Sequence, residues 1–146
     1  MAEAAAHGAR QELEVEVRVK SAETASVEDL LAADGYIFAG PENLAALSGE
    51  LKAFFDRTYY GVLDRLNGRP YTHLIAAGSD GSGAARQLAR IAMGWRLKLI
   101  AEPVIFCTHA QTPQTILASK QLTDTDLTSS AEAGAAMAAG LALGVL

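Results

Sequence analysis

The chain has 146 residues, of which 50% are hydrophobic and 20% charged, and its formal net charge is −5 at pH 7. This length and composition predict one α/β domain over residues 1–146, large enough to bury a hydrophobic core. The acidic balance, without any cluster of Lys or Arg, argues against a nucleic-acid groove, because neutralising phosphates requires clustered cations.

The single cysteine and the two ends of the chain bear on location. Cys107 has no partner for an internal disulfide, so the fold does not require an oxidising compartment. Residues 1–6 lack the basic segment of a signal peptide. Residues 131–146 are apolar but interrupted by Glu132 and shorter than the roughly 20 residues of a membrane span. We expect a cytoplasmic protein whose last helix docks on the domain.

The first third of the chain predicts a helix, a strand and a short helix. Residues 2–10 are typical of the end of a helix. Leu13 to Val19 alternates apolar and charged residues with period two, which predicts an edge strand with one solvent-exposed face. Ser26 precedes a short apolar helix and Asp29 stands at the capping-box position.

The middle of the chain alternates strands and helices. Tyr36 to Ala39 is continuously apolar between glycines, which predicts a strand buried on both faces. A helix is predicted from Glu50 to about Leu66, ending at Asn67 and Gly68. A strand over residues 73–77 and a helix over residues 84–95 follow.

The last third predicts a strand region over residues 97–107, bent at Pro103, a short helix over residues 114–119 and a final helix over residues 129–143. Alternating strands and helices imply parallel strands with right-handed crossovers. The predicted fold is a three-layer open parallel sheet with helices on both faces.

Two loops follow buried strands at their carboxyl ends, where open α/β sheets bind ligands. The first, residues 40–49, contains a Gly-Pro turn whose amides can face a flat heterocycle. The second, residues 78–83, is a small-residue turn at a helix start that suits a phosphate or the polar edge of a heterocycle. The candidate binding residues are Pro41, Glu42, Asn43, Leu44, Ala45, Gly78, Ser79, Asp80 and Gly81. The alternative is that both are plain strand-to-helix turns.

Other chemistry finds little support in the sequence. The second loop has neither the glycine spacing of a Rossmann turn nor the Lys and Ser/Thr of a P-loop. Three scattered histidines, without clustered carboxylates, do not predict a metal site. We predict no catalytic acid, base or nucleophile, and we interpret Trp95 as a packing residue.

The residues resemble one family in four places. These are Asp34 to Gly40, Pro41 to Asp56 with its Lys52-Ala-Phe-Phe-Asp56, Gly78 to Gly83 with the following helix, and the closing helix with Gly134 and Gly140. In these places the chain is similar to flavodoxin-like NAD(P)H-dependent FMN reductases and quinone reductases. The resemblance implies that the two loops hold the isoalloxazine ring of FMN, and that electrons pass from NAD(P)H through FMN to a quinone or another small acceptor. It also implies a possible homo-oligomer.

The chain departs from this family at its start. The family's first strand and its phosphate-binding loop precede the first helix, whereas Met1 here falls inside that helix. We therefore expect an N-terminally incomplete sheet, in which the absent strand would separate Leu13–Val19 from Tyr36–Ala39. The alternative function is a non-catalytic flavodoxin-like binding or assembly module that has lost flavin binding. Either the true start of the protein lies upstream of Met1 and the given sequence is truncated, or the remaining strands pair differently and the phosphate site is lost. A partner chain could also complete the sheet by strand addition.

Overall fold

The structure is a computed structural model that describes all of residues 1–146. One five-stranded sheet organises the domain. Its strands are β1 Tyr36–Asn43, β2 Ala46–Leu47, β3 Pro70–Ala77, β4 Lys98–Leu99 and β5 Val104–Cys107. β3 lies at the centre, parallel to β1 on one side and to β4 and β5 on the other, and β2 pairs antiparallel with the end of β1.

Helices cover both faces of the sheet, as predicted. The helices are α1 Ala2–Ala9, α2 Val27–Ala32, α3 Gly49–Thr58, α4 Ser82–Gly94, α5 Pro113–Leu117 and α6 Asp124–Ala142, with a 3-10 turn over Tyr59–Val62. α1 and α6 pack against each other on one face, and α2, α3 and α4 contribute to the core on the other. None of the helices combines the length and the apolar character that crossing a membrane requires.

The larger core is aromatic. Phe38 of β1, Phe55 of α3 and Trp95 at the end of α4 pack together, with 5.3 Å between the ring centroids of Phe55 and Trp95. The Trp95 indole is fully buried and its Nε1 donates to the carbonyl of Tyr59 at 3.2 Å. Trp95 is therefore the packing residue that the sequence predicted.

A histidine lies in the middle of β3. His73 is fully buried, and neither ring nitrogen has a hydrogen-bond partner. Its ring stacks on Tyr71, with 6.0 Å between centroids and 7° between planes. Burial lowers the pKa of His73, because the surroundings disfavour the charged imidazolium. The neutral ring therefore serves as a flat core residue.

Several predicted elements are confirmed with shifted ends. Ser26 and Asp29 form the expected reciprocal capping box at α2. β1 and β3 contain the predicted strands and extend further. The helix predicted to reach Leu66 ends at Thr58, because the following Tyr-Tyr-Gly run consists of weak helix formers and winds into a 3-10 turn. α6 begins at Asp124, earlier than predicted, because Thr123 caps it.

Two predictions about strands need correction. The region 97–107 forms two short strands, β4 and β5, separated by residues 100–103 that include Pro103. The edge strand predicted over Leu13–Val19 is wrong: no residue from 13 to 20 belongs to a strand. The physical reason is that a strand needs a hydrogen-bonded neighbour, and an open groove separates Val15–Lys20 from the edge of β1.

Candidate functional site

The two predicted loops lie side by side at the carboxyl edge of the sheet. β1 and β3 are parallel neighbours, with register running from Tyr36 opposite Tyr71 to Pro41 opposite Ala76. The chain therefore leaves both strands at the same edge. β5 is also parallel to β3, so the segment over residues 108–112 reaches this edge too. Thr108 ties it there, since its backbone N–H donates to the carbonyl of Ala77 at 2.9 Å.

The first loop is a tight hairpin that the sequence did not predict. Asn43 pairs with Ala46, which leaves Leu44 and Ala45 as the two turn residues, with φ angles of 51° and 61°. A two-residue hairpin turn needs positive φ at both positions and normally uses Asn-Gly or Gly-Gly, so a Leu-Ala turn carried no recognisable signal. Non-glycine residues in this conformation store strain of about 1–3 kcal/mol each. The turn leaves the Leu44 side chain completely exposed at its tip.

Glu42 joins the first loop to the second. Its carboxylate accepts from the backbone N–H of Gly81 at 3.0 Å and from that of Ala84 at 2.9 Å. These donors belong to the start of α4, where the helix dipole favours a negative charge. Glu42 therefore caps α4 and fixes the distance between the two loops.

Close backbone approach holds the loops in the same arrangement. A Cβ atom on Gly83 would lie 2.2 Å from the carbonyl oxygen of Ala45, so only glycine fits there. Gly81 has a φ of 82°, and a Cβ there would lie 2.4 Å from the side chain of Ile105. The small residues of the second loop are thus required by contact with the first loop and with β5.

Gln87 is a positioning residue that sequence reasoning missed. Its side-chain oxygen accepts from the backbone N–H of Leu47 at 2.8 Å, which ties β2 to α4. A glutamine inside a predicted helix carries no signal of this contact, because its partner is 40 residues away along the chain.

Exposed backbone donors remain at the mouth of the site. Four exposed residues of the two loops have backbone N–H groups that donate to no acceptor within the protein; they are Leu44, Ala45, Ser79 and Asp80. Beside them, the hydroxyl of Ser82 donates to the carboxylate of Asp80 at 2.5 Å. The site therefore offers hydrogen-bond donors on two neighbouring loops and an apolar side chain on one of them.

This arrangement fits a flat heterocycle better than a phosphate. The helix starts beside both loops are already capped, α4 by Glu42 and α3 by the hydroxyl of Ser48, which accepts from the N–H of Leu51. Residues 40–49 and 78–83 include no Lys, Arg or His. The predicted phosphate role of the second loop is therefore not supported by its geometry, whereas the polar edge of a ring would find the free amides.

Comparison with known proteins places the chain among flavin proteins. Residues 2–112 match the family model described as NADPH-dependent FMN reductase. A flavodoxin from Aquifex aeolicus is 35% identical over 83 residues, which are 57% of this chain and 45% of that protein. The chain thus spans less than half the length of this curated relative.

Solved structures share the fold at low identity. A flavodoxin from the domain Archaea superposes with a TM-score of 0.74 at 16% identity, over 96% of this chain and 87% of that one. A flavodoxin described as WrbA-like, from Agrobacterium tumefaciens, gives 0.67 at 17% identity, over 97% and 87%. An NADPH-quinone reductase from P. pentosaceus gives 0.58 at 15% identity, over 89% and 86%. The predicted flavodoxin-like α/β fold is confirmed.

Proposed function

The chain belongs to the NADPH-dependent FMN reductase family, and from this premise we propose that the carboxyl-edge site binds FMN and passes electrons from NADPH or NADH to a small acceptor such as a quinone. The observation that supports the proposal best is the pair of hydrogen bonds that the Glu42 carboxylate accepts from backbone N–H groups at the start of α4. It holds two exposed, donor-rich loops side by side at the edge where such folds bind ligands.

The protein's part in this function is to hold and orient the ring. Residues Pro41–Ala45 and Gly78–Gly81 would contact the isoalloxazine, with the free amides of Ser79 and Asp80 as donors to its polar edge. Leu44 would cover apolar ring surface. FMN held there would supply the hydride-accepting and electron-transfer chemistry, so the chain would need no acid or base of its own.

Glu42 would act on the flavin indirectly. Both of its carboxylate oxygens are engaged by backbone N–H groups, so we assign it to positioning the loops. The negative charge of its carboxylate, between the two loops, would also disfavour extra negative charge on a bound ring.

An FMN titration of the purified chain tests the proposal, followed by flavin fluorescence quenching and visible absorbance. We expect saturable binding, and then FMN-dependent oxidation of NADPH in the presence of a soluble benzoquinone. If no saturable binding is found, the non-catalytic module is the better interpretation.

A matched pair of variants locates the site. Leu44→Asn retains the turn, because Asn tolerates positive φ, but removes the apolar cover. We expect it to weaken FMN binding about five- to tenfold, as the loss of a partly buried Leu contact predicts, without lowering the melting temperature. Leu13→Asn changes an equally exposed leucine away from the carboxyl edge. It should change neither FMN binding nor the melting temperature.

A further inference from the structure

Two arginines lie on the outer surface of α4, beside the hairpin of the first loop. Arg86 and Arg90 are exposed and stand one helical turn apart. Gly83 and Gln87 of the same helix contact the hairpin, through its turn and through β2 respectively. Each arginine follows one of these two residues by three positions, and residues three apart are neighbours on a helix. The arginine pair therefore lies next to the helix face that the hairpin covers.

The arginine pair has no counter-charge within the protein. α4 contains no Asp or Glu, and the two carboxylates at its start, Glu42 and Asp80, already accept hydrogen bonds from backbone N–H groups and from a serine hydroxyl. Neither guanidinium of the pair donates to a carboxylate or a carbonyl, whereas five other arginines do; these are Arg18, Arg57, Arg65, Arg69 and Arg96. Like charges one turn apart destabilise a helix, so the pair favours a bound anion.

An exposed apolar side chain continues the same helix face. Met93 follows Arg90 by three residues and is 66% exposed. Arg86, Arg90 and Met93 thus have the i, i+4, i+7 spacing that places residues on one side of a helix. A methionine thioether packs favourably against flat aromatic rings. This face of α4 therefore offers two cations and, beyond them, a contact for a flat base, which fits a phosphorylated nucleotide.

We propose that Arg86 and Arg90 bind the 2′-phosphate of NADPH, with Met93 against its adenine, and that the chain therefore prefers NADPH to NADH. This inference rests on the proposed function, in which a nicotinamide meets the flavin at the carboxyl edge. A phosphate monoester carries a charge of about −1.5 to −2 at pH 7, which two guanidinium groups match with charge-assisted hydrogen bonds. NADH has a hydroxyl at this position and would gain little from the pair.

The position of the pair along α4 favours this phosphate over the phosphate of FMN. Arg90 is seven residues beyond Gly83, which is about 10 Å along the helix axis. α4 leads away from the carboxyl edge, because its first turn meets the second loop. The phosphate of FMN is attached to its ring by a short chain, whereas the 2′-phosphate of NADPH lies at the far end of a dinucleotide. The more distant site therefore suits NADPH.

The overall charge makes a local cation necessary for such a ligand. The formal net charge of −5 repels an anionic dinucleotide, so the binding surface must be positive where the phosphates lie. The two loops at the carboxyl edge contain no Lys, Arg or His, and the arginine pair is the positive group that adjoins them on α4. The pair thus provides what the loops lack.

Adenosine 2′,5′-bisphosphate and 5′-AMP test the site without any redox chemistry. In calorimetric titrations of the full chain, with and without FMN, we expect the bisphosphate to bind about tenfold more tightly than 5′-AMP. Arg86→Gln and Arg90→Gln should each remove most of this preference, because each loses charge-assisted hydrogen bonds. Arg86→Lys keeps the charge but not the planar fork, so it should lose less of the preference.

Arg10→Gln is the matched control. Arg10 is exposed, forms no ion pair and ends α1, which packs on the opposite face of the sheet, so the substitution changes the net charge equally. It should leave both affinities unchanged. The far-UV spectrum and melting temperature of each variant establish that it folds.

A reductase assay with FMN and a soluble benzoquinone provides the kinetic test. Arg86→Gln and Arg90→Gln should each raise KM for NADPH about tenfold, because the pair contributes binding and no chemistry. The kcat with NADPH and the KM for NADH should each stay within about twofold of the unchanged protein.

Four results would overturn the proposal. They are equal binding of the two nucleotides, binding of neither, a loss in Arg10→Gln as large as in the pair variants, and pair variants that lose affinity for FMN but not for riboflavin. The last would assign the pair to the phosphate of FMN.

FMN titrations on the same samples separate this proposal from the proposed function. Binding of FMN without the nucleotide preference would remove the NADPH site and leave the flavin site. Arginine-dependent binding of the bisphosphate without binding of FMN would remove the proposed function and leave a nucleotide phosphate site on α4.

Discussion

Glu42 provides the most direct test of how the site is built. Glu42→Ala removes the acceptor of two N–H groups, at Gly81 and Ala84, both of which belong to buried residues. Loss of a helix cap costs about 0.5–2 kcal/mol, and hydrogen bonds to a charged group contribute about 1.5–3 kcal/mol. Because Glu42 is half-exposed and water can replace part of the carboxylate, we expect a loss of about 2 kcal/mol in the free energy of unfolding.

Urea unfolding measures this loss, and thermal unfolding should show a melting temperature lower by about 4–8 °C for a chain of this length. Glu42→Gln keeps one acceptor oxygen but turns an amide NH2 toward the second donor, so we expect about half the loss. FMN affinity should also fall more in Glu42→Ala than in Glu42→Gln, because the two loops are then held together less firmly.

Glu50→Gln is the matched control. Glu50 lies exposed in the first turn of α3 and makes no side-chain hydrogen bond, so only its interaction with the helix dipole is lost, which is worth about 0.5 kcal/mol. Glu42 does not cap α4 if the free energy of unfolding of Glu42→Ala lies within about 0.5 kcal/mol of that of the unchanged protein, or if Glu42→Ala loses no more of it than Glu50→Gln.

Three further predictions concern the loops, the core and the ligand. Gly83→Ala forces a Cβ against the carbonyl of Ala45 and should weaken FMN binding at least tenfold in a titration, whereas Gly49→Ala, with open space around it, should not. Because burial lowers the pKa of His73 below its unfolded value, stability should be complete above about pH 6.5 and should decrease as the pH falls toward the folded pKa. For His73→Phe, the free energy of unfolding measured in urea should no longer decrease in this way between pH 7 and 5. An unchanged slope of that free energy against pH would contradict the prediction. Riboflavin should bind within about threefold of FMN by fluorescence titration, since the two loops provide no cation or open helix start for the phosphate; a hundredfold preference for FMN would show that another part of the chain holds the phosphate.

The sequence predicted most of the fold, because its strongest patterns are local. The buried run at Tyr36–Ala39, the helix cap at Ser26 and the glycine-bounded turns each specify an element through neighbouring residues. Errors arose where the outcome depends on distant contacts. The helix after Gly49 ends early, and the Leu44–Ala45 hairpin forms with residues that do not favour it, under restraint from Glu42, Gly83 and Gln87.

The candidate site was predicted as two loops but not as one structure. Sequence position alone indicated that residues 40–49 and 78–83 meet at one edge, and the register of β1 with β3 confirms it. No local pattern predicts that Glu42 caps α4, because the two groups are about 40 residues apart in the chain. That single contact changes the expected chemistry, since it occupies the amides that were candidates for a phosphate.

The alternating segment at residues 13–19 shows the limit of a local pattern most clearly. Val15, Val17 and Val19 alternate with charged residues as a strand requires, yet no strand forms, and residues 15–20 make no backbone-to-backbone hydrogen bond. The pattern therefore specifies a strand that the rest of this chain does not pair.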